Sequence, residues 1–231
     1  INIALASLLL GSASLEAKTI YVNETVAGGI NNGTSWANAY KFLRDGIEAA
    51  AVGDNIYVAK GIYYPDQGAN AIFGDREESF VFSKSGIKVY GGFVGNETSL
   101  AQRDVTLNQT ILSGRIWDGA GEELYSSLNI AEIDADTTID GLTIQDGNAN
   151  GYESWVYTGE PEYNQGGACY VRNASKLTIA NCVISNNSAY DAGGAIMFED
   201  GLGSLFTTNT KFTGNKVNTF HLFNSFDPNP P

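Results

Sequence analysis

A repeat in the last third of the chain constrains its fold more than any other feature. Gly166-Gly167-Ala168 returns as Gly193-Gly194-Ala195, 27 positions on. Each copy leads into an apolar run, then an Asn-bearing strand pattern that closes on a short polar turn. Residues 177–187 (LTIANCVISNN) correspond in this way to residues 205–215 (LFTTNTKFTGN). A unit of this length, built of strands and turns without helices, predicts a solenoid. In a solenoid each unit buries its apolar face only against its neighbours, which leaves long continuous side walls.

The spacing of apolar and turn residues extends this pattern upstream. Strands are predicted over 18–23 (KTIYVN), 55–59 (NIYVA), 61–64 (GIYY), 79–82, 87–93 (IKVYGGF), 110–112, 128–133 and 138–144. Short strands separated by Gly, Asn and Asp predict an all-β assembly. Few of them are joined by two-residue Asn-Gly or Asp-Gly turns, which favours a coil of parallel strands over a sandwich of hairpins. Aligned on Ile144, Ile184 and Phe212, the last three units share further columns. Leu142, Cys182 and Thr210 form an inward column, and Thr143, Val183 and Lys211 an outward one. Gly141, Asn181 and Asn209 fall at one corner, where Asn tolerates left-handed backbone and can bond to the coils on either side. Asn187 and Asn215 are placed to do the same at the next corner. The only helical stripe is Trp36, Tyr40, Leu43, Ile47 and Ala50, with Ser35 as N-cap and Gly53 beyond its end. It is expected to be one amphipathic helix capping the first coil.

The expected organisation is therefore a partial signal peptide over 1–17, a strand and capping helix over 18–53, coils over 54–217, and an irregular, truncated tail over 218–231. The apolar stretch 1–10 followed by Gly11, Ser12, Ala13, Ser14 and Ala17 has the pattern of an export signal. It is shorter than the roughly 20 apolar residues of a membrane-spanning helix, and no later segment is longer.

Composition narrows the partners. The formal net charge is −13, which repels nucleic-acid phosphates, so no nucleic-acid partner is expected. His221 is the sole histidine and lies in the irregular tail beyond the repeats, so neither a His-based triad nor a multi-His zinc site is expected. Cys169 and Cys182 are either a disulfide formed after export or two small core residues. Acidic residues gather at Glu132, Asp134, Asp136, Asp140 and Asp146. They are read as solvated turn acids, with Ca²⁺ as the one cofactor such turns admit. Arg103, Arg115 and Arg172 are the arginines in or beside expected strands. No catalytic residue is assigned.

The step from Ile144 to Ile184 is longer than that from Ile184 to Phe212. The extra residues fall in 151–165 (GYESWVYTGEPEYNQ), a loop leaving the coil. Its Tyr152, Trp155, Tyr157 and Tyr163 are the candidate ligand-binding residues, because exposed aromatic rings stack on sugars and anchor protein interfaces. The alternative is that these rings fold back over a coil face. The six Asn-x-Ser/Thr sequons are read as chance in an Asn- and Thr-rich chain.

Several motifs resemble a known group. Gly193-Gly194-Ala195-Ile196 and Phe212-Thr213-Gly214-Asn215, with Gly166 and Gly167, resemble the repeat of chlamydial polymorphic outer-membrane proteins. Residues 33–40 (GTSWANAY), 52–63 (VGDNIYVAKGIY), 90–98 (YGGFVGNET) and 110–114 (TILSG) are similar to secreted bacterial β-helix proteins with such repeats. Together they cover most of 33–217. The resemblance implies a right-handed parallel β-helix of the pectate-lyase-like type, exposed at a cell surface or released. It implies an adhesin-like or envelope structural role, with a cell-surface glycan or protein as partner. Polysaccharide lyases and hydrolases use the same scaffold, so a carbohydrate-active enzyme is the alternative function.

Overall fold

The computed structural model describes residues 16–117, 123–150, 164–199 and 201–217. Nearly every strand lies in one of four parallel sheets. Sheet I contains β1 (Thr19–Val22), β2 (Asn55–Ala59), β5 (Ile87–Phe93), β10 (Thr137–Asp140), β14 (Lys176–Ala180) and β18 (Ser204–Thr208), paired in that order. Sheet II contains β3 (Gly61–Tyr63), β6 (Thr110–Ser113), β11 (Leu142–Gln145), β15 (Val183–Ser185) and β19 (Lys211–Thr213). Sheet III is β12 (Asn148–Ala149), β16 (Ser188–Ala189) and β20 (Lys216–Val217). Sheet IV is β4 (Phe80–Phe82), β9 (Ala131–Ile133), β13 (Cys169–Val171) and β17 (Ile196–Phe198). From β10 onward the chain visits sheets I, II, III and IV in turn and then returns to sheet I. This is a β-helix-like solenoid path.

The pairing register follows the columns expected from the repeat. Thr143 pairs with Val183 and Val183 with Lys211, while Ile144 pairs with Ile184 and Ile184 with Phe212. Inward columns form the core. On sheet I, Ile20, Ile56, Val89, Ile139 and Ile179 stack in register and all are buried. On sheet IV, Phe82, Ile133 and Val171 do the same. Each such side chain contributes about 1.5–3 kcal/mol on leaving water, so the stacked columns dominate cohesion. At β18 and β19 the inward Leu205 and Phe212 are 40% and 44% exposed, whereas their partners Leu177 and Ile184 are fully buried.

Three local expectations differ from what forms. The helical stripe does not make one helix. Ser35 accepts from the Asn38 N–H and caps a short 3₁₀ turn, Trp36–Asn38. The chain then straightens, because the Tyr40 backbone exchanges hydrogen bonds with Tyr21 and Asn23 at the open edge of β1. Satisfying that edge outweighs helix propensity. A separate helix α1 (Leu43–Ala49) follows, with Leu43 and Ile47 buried against β1, β2 and β4. Second, the strand expected over 138–144 divides into β10 and β11 at Gly141, whose φ of +81 turns the corner between sheets I and II. A Cβ there would also crowd Val105 and the Arg103 guanidinium. Third, β7 (Arg115–Trp117) and β8 (Glu123–Ser126) pair antiparallel, which the sparse hairpin signals gave no reason to expect.

Candidate functional site

The candidate residues of the aromatic loop, Tyr152, Trp155, Tyr157 and Tyr163, lie outside the described residues, as do His221, most of the 1–17 segment and the 218–231 tail. The other candidates fall within the coils. The two Gly-Gly motifs are brought side by side: the Gly166 N–H donates to the Ala192 carbonyl and the Gly167 N–H to the Gly193 carbonyl. A Cβ at Gly167 would overlap the Ser188 carbonyl, and one at Gly194 the Lys216 carbonyl, so neighbouring coils approach too closely for any side chain.

The asparagines link successive coils. Asn209 Nδ2 donates to Asn181 Oδ1 at 2.9 Å, and Asn181 Nδ2 donates to Asp140 Oδ1 at 2.8 Å. Both residues have positive φ, 47° and 52°. At the next corner Asn187 is fully buried. Its Oδ1 accepts from the Gly147 N–H, and its Nδ2 donates to the Ile144 carbonyl and to Asn215 Oδ1. Asn215 Oδ1 also accepts from the Asn187 N–H, while its Nδ2 donates to the Ile184 carbonyl. These side chains supply partners for corner backbone that no strand pairing reaches.

The acids near the corners are held by cations or backbone. Arg172 meets Glu132 at 2.6 Å and Asp134 at 3.5 Å, on the outer side of sheet IV. Arg103 meets Asp140 at 2.8 Å, and Arg115 meets Asp146 at 3.1 Å. Asp136 accepts from the Lys176 N–H. The structure therefore distributes these five acids along the coils. Among the described residues no three His, Cys, Asp or Glu side chains cluster as metal ligands. Cys169 and Cys182 are free, buried thiols, which is the small-core-residue alternative. Burial pushes the Cys169 thiol up to about 12, with the nearby Cys182 adding to the effect. Burial likewise pushes Cys182 up to about 11, against bonds from the Leu142 and Gly141 backbone. Neither is a ready nucleophile.

Among the described residues, aromatic, hydroxyl and charged side chains gather on the outer wall of sheet I. Strand alternation that turns Ile20, Ile56 and Val89 inward turns Tyr21, Tyr57 and Tyr90 outward, in one register column. All three are half-buried. Tyr21 and Tyr57 have ring centroids 5.9 Å apart at 80°, and Tyr57 and Tyr90 are 5.8 Å apart at 89°. Phe93 stacks on Tyr57 at 4.6 Å, and Trp36 packs on Tyr21 and Phe93. The Trp36 indole N–H donates to the Glu97 carbonyl, tying the 3₁₀ segment to the loop after β5. Glu97 fixes that loop in turn. Burial opposes its charge, but N–H bonds from Val94, Gly95 and Asn96 hold its carboxyl below the ordinary range.

The column continues to Asp140, and Arg103 covers that end: its guanidinium lies 5.4 Å from the Tyr90 ring centroid and pairs with Asp140. Burial raises the Tyr57 phenol, with Tyr21 adding and Arg103 opposing. Burial also raises Tyr90, with Asp140 and Tyr57 adding. Both remain neutral hydroxyls at physiological pH, able to donate and accept. Beside this column, on the same face, run Thr19, Asn55, Lys88, Thr138 and Thr178.

This wall was readable in principle. Ile20-Tyr21-Val22, Ile56-Tyr57-Val58 and Val89-Tyr90-Gly91 share an apolar-Tyr pattern. The copies lie outside the Gly-Gly-Ala repeats and at unequal spacing, so repeat matching does not align them. Compared with known proteins, the chain matches no family model, no curated protein and no solved structure.

Proposed function

We propose that the chain is a right-handed parallel β-helix, exported to a cell surface or the extracellular space, where it binds or spaces other molecules in an adhesin-like or envelope structural role. The observation that carries this reading is the outer side wall of sheet I, with its half-buried tyrosines. A register-locked column of tyrosines, backed by Trp36 and Phe93, gives a rigid amphipathic surface of the type that anchors interfaces. The export-like N-terminal pattern and the Gly-Gly-Ala and Phe-x-x-Asn repeats support the location and role. Its polymorphic-membrane-protein-like character rests on those repeats alone. The test is saturable binding of the purified protein to bacterial surfaces or extracellular matrix. Binding that saturates and survives removal of nucleic acid is the expected result; uniform, non-saturable adsorption contradicts it.

A second reading, a polysaccharide lyase or hydrolase on the same scaffold, draws on Arg172 between Glu132 and Asp134. Arg172 and two carboxylates lie together on one outer face, the residue types that a lyase base or a hydrolase pair would draw on. Glycan cleavage by the purified protein that Arg172→Ala abolishes would favour it; cleavage untouched by that change, or none, removes it.

A further inference from the structure

We propose that the outer wall of sheet I holds a neutral, extended chain of β-1,4-linked pyranose sugars along the stacking axis, about one sugar per coil. This rests on the surface-binding reading above and assigns it a ligand class. Three features of the wall point to that ligand.

The first is spacing. The tyrosine column supplies one ring per coil, with centroids 5.9 and 5.8 Å apart. Those centroid distances include a sideways offset; along the axis the rings step with the paired strands, about 4.7–4.9 Å, which is close to the advance per sugar of an extended β-1,4-linked chain, so consecutive sugars meet consecutive rings. Tyr57 stands roughly perpendicular to both neighbours, so ring and hydroxyl orientations alternate along the strip. Pyranose C–H bonds pack on aromatic surface, and phenol hydroxyls exchange hydrogen bonds with sugar hydroxyls.

The second is the polar column beside the rings. Asn55, Lys88 and Thr138 lie two residues before Tyr57, Tyr90 and Asp140, on the same face of the sheet. Lys88 is exposed, and Asn55 and Thr138 are half-buried. They offer an amide, an ammonium and a hydroxyl at the same axial step, groups suited to the edge of a sugar ring. Trp36 and Phe93 pack the ladder from the other flank, so the strip is preorganised rather than assembled on binding.

The third is charge. Arg103, at the end of the strip, is already neutralised by Asp140. Lys88 is then the one cation in the tyrosine and polar columns, on a chain of net charge −13. That balance disfavours a polyanionic chain and leaves a neutral one.

Calorimetric titration of the full chain with cellohexaose, mannohexaose and hexagalacturonate tests the assignment. The expected result is binding of a neutral hexasaccharide, weaker for the matching trisaccharide, with hexagalacturonate bound less tightly. Tyr90→Ala is expected to weaken binding about tenfold. Tyr57→Phe keeps the ring on Phe93, so its folding is secure, and it is expected to lose a few-fold from the missing hydroxyl. Lys211→Ala, on sheet II, is expected to bind as the parent does. Absence of binding to both neutral hexasaccharides, tighter binding of hexagalacturonate, or parental affinity in a Tyr90→Ala protein with an unchanged unfolding midpoint would each overturn the proposal. Surface binding by the parent that persists undiminished in Tyr90→Ala sinks the ladder and spares the surface-binding reading. Loss of surface binding by the parent itself sinks that reading whatever the sugars do.

Discussion

Asn187 is the residue on which most of the corner chemistry converges. Its amide serves coils on both sides and has no access to water. Replacing it with Ala leaves the Gly147 N–H and the Ile144 carbonyl short of a partner, each costing about 1–3 kcal/mol when buried. Asn187→Ala is therefore expected to lose roughly 2–6 kcal/mol in urea unfolding, from those two lost partners. Asn209→Gly, at an exposed corner with a single ladder bond and a left-handed backbone that Gly adopts freely, is expected to lose under about 1 kcal/mol. Equal losses at the two sites would contradict the ladder's assignment to the buried corner. The thiols give a second residue-scale expectation. Folded Cys169 and Cys182 keep their protons to about 12 and about 11, while an unfolded thiol loses its proton near about 8.5. Between those limits the unfolded chain binds fewer protons, so stability falls as pH rises above about 8.5 toward 12. Both thiols are expected to stay unlabelled by a thiol reagent at pH 8 until denaturant is added. Rapid labelling of the native protein would contradict their burial.

At the scale of elements, α1 and the 3₁₀ turn matter for how the first coil is finished. α1 buries Leu43 and Ile47 over β1, β2 and β4, and Lys84 donates to the Glu48 and Ala50 carbonyls at its C-terminal end. Leu43→Ala is expected to cost about 2–5 kcal/mol, as for other buried leucines, measured by thermal or denaturant unfolding. A loss below about 1 kcal/mol, the size of a surface change, would mean that α1 does not close the core. These elements also show what the sequence exposed and what it concealed. The columns through Ile144, Ile184 and Phe212 were legible because period-2 burial and a fixed corner recur together. The helical stripe over 36–50 is real, but the Tyr40 backbone is claimed by the β1 edge, a tertiary demand that no local pattern records. The break at Gly141 was hidden inside a continuous apolar run. The tyrosine column escaped because facing direction is a property of the strand, whereas Tyr21, Tyr57 and Tyr90 are far apart in the chain. Of the aromatic loop 151–165, only the last two residues are among those described.

At the scale of the whole molecule, four parallel sheets in a fixed visiting order make the side walls, and the walls carry the proposed function. Each coil is held by its neighbours, so a wall is only as regular as the register between coils. The most direct test of that register is disulfide trapping between paired outward positions. Thr143 and Val183 are 40 residues apart in sequence and directly opposed on β11 and β15. Adjacent strands lie within the Cα separation that a disulfide needs, whereas strands two coils apart lie beyond it. The double variant Thr143→Cys with Val183→Cys is expected to form an intramolecular disulfide under mild oxidation, identified by peptide mass mapping. The pair Thr143→Cys with Lys211→Cys, two coils apart, is expected to remain reduced. Failure of the first pair to close, or efficient closure of the second, would contradict the stacked-coil arrangement and with it the tyrosine wall.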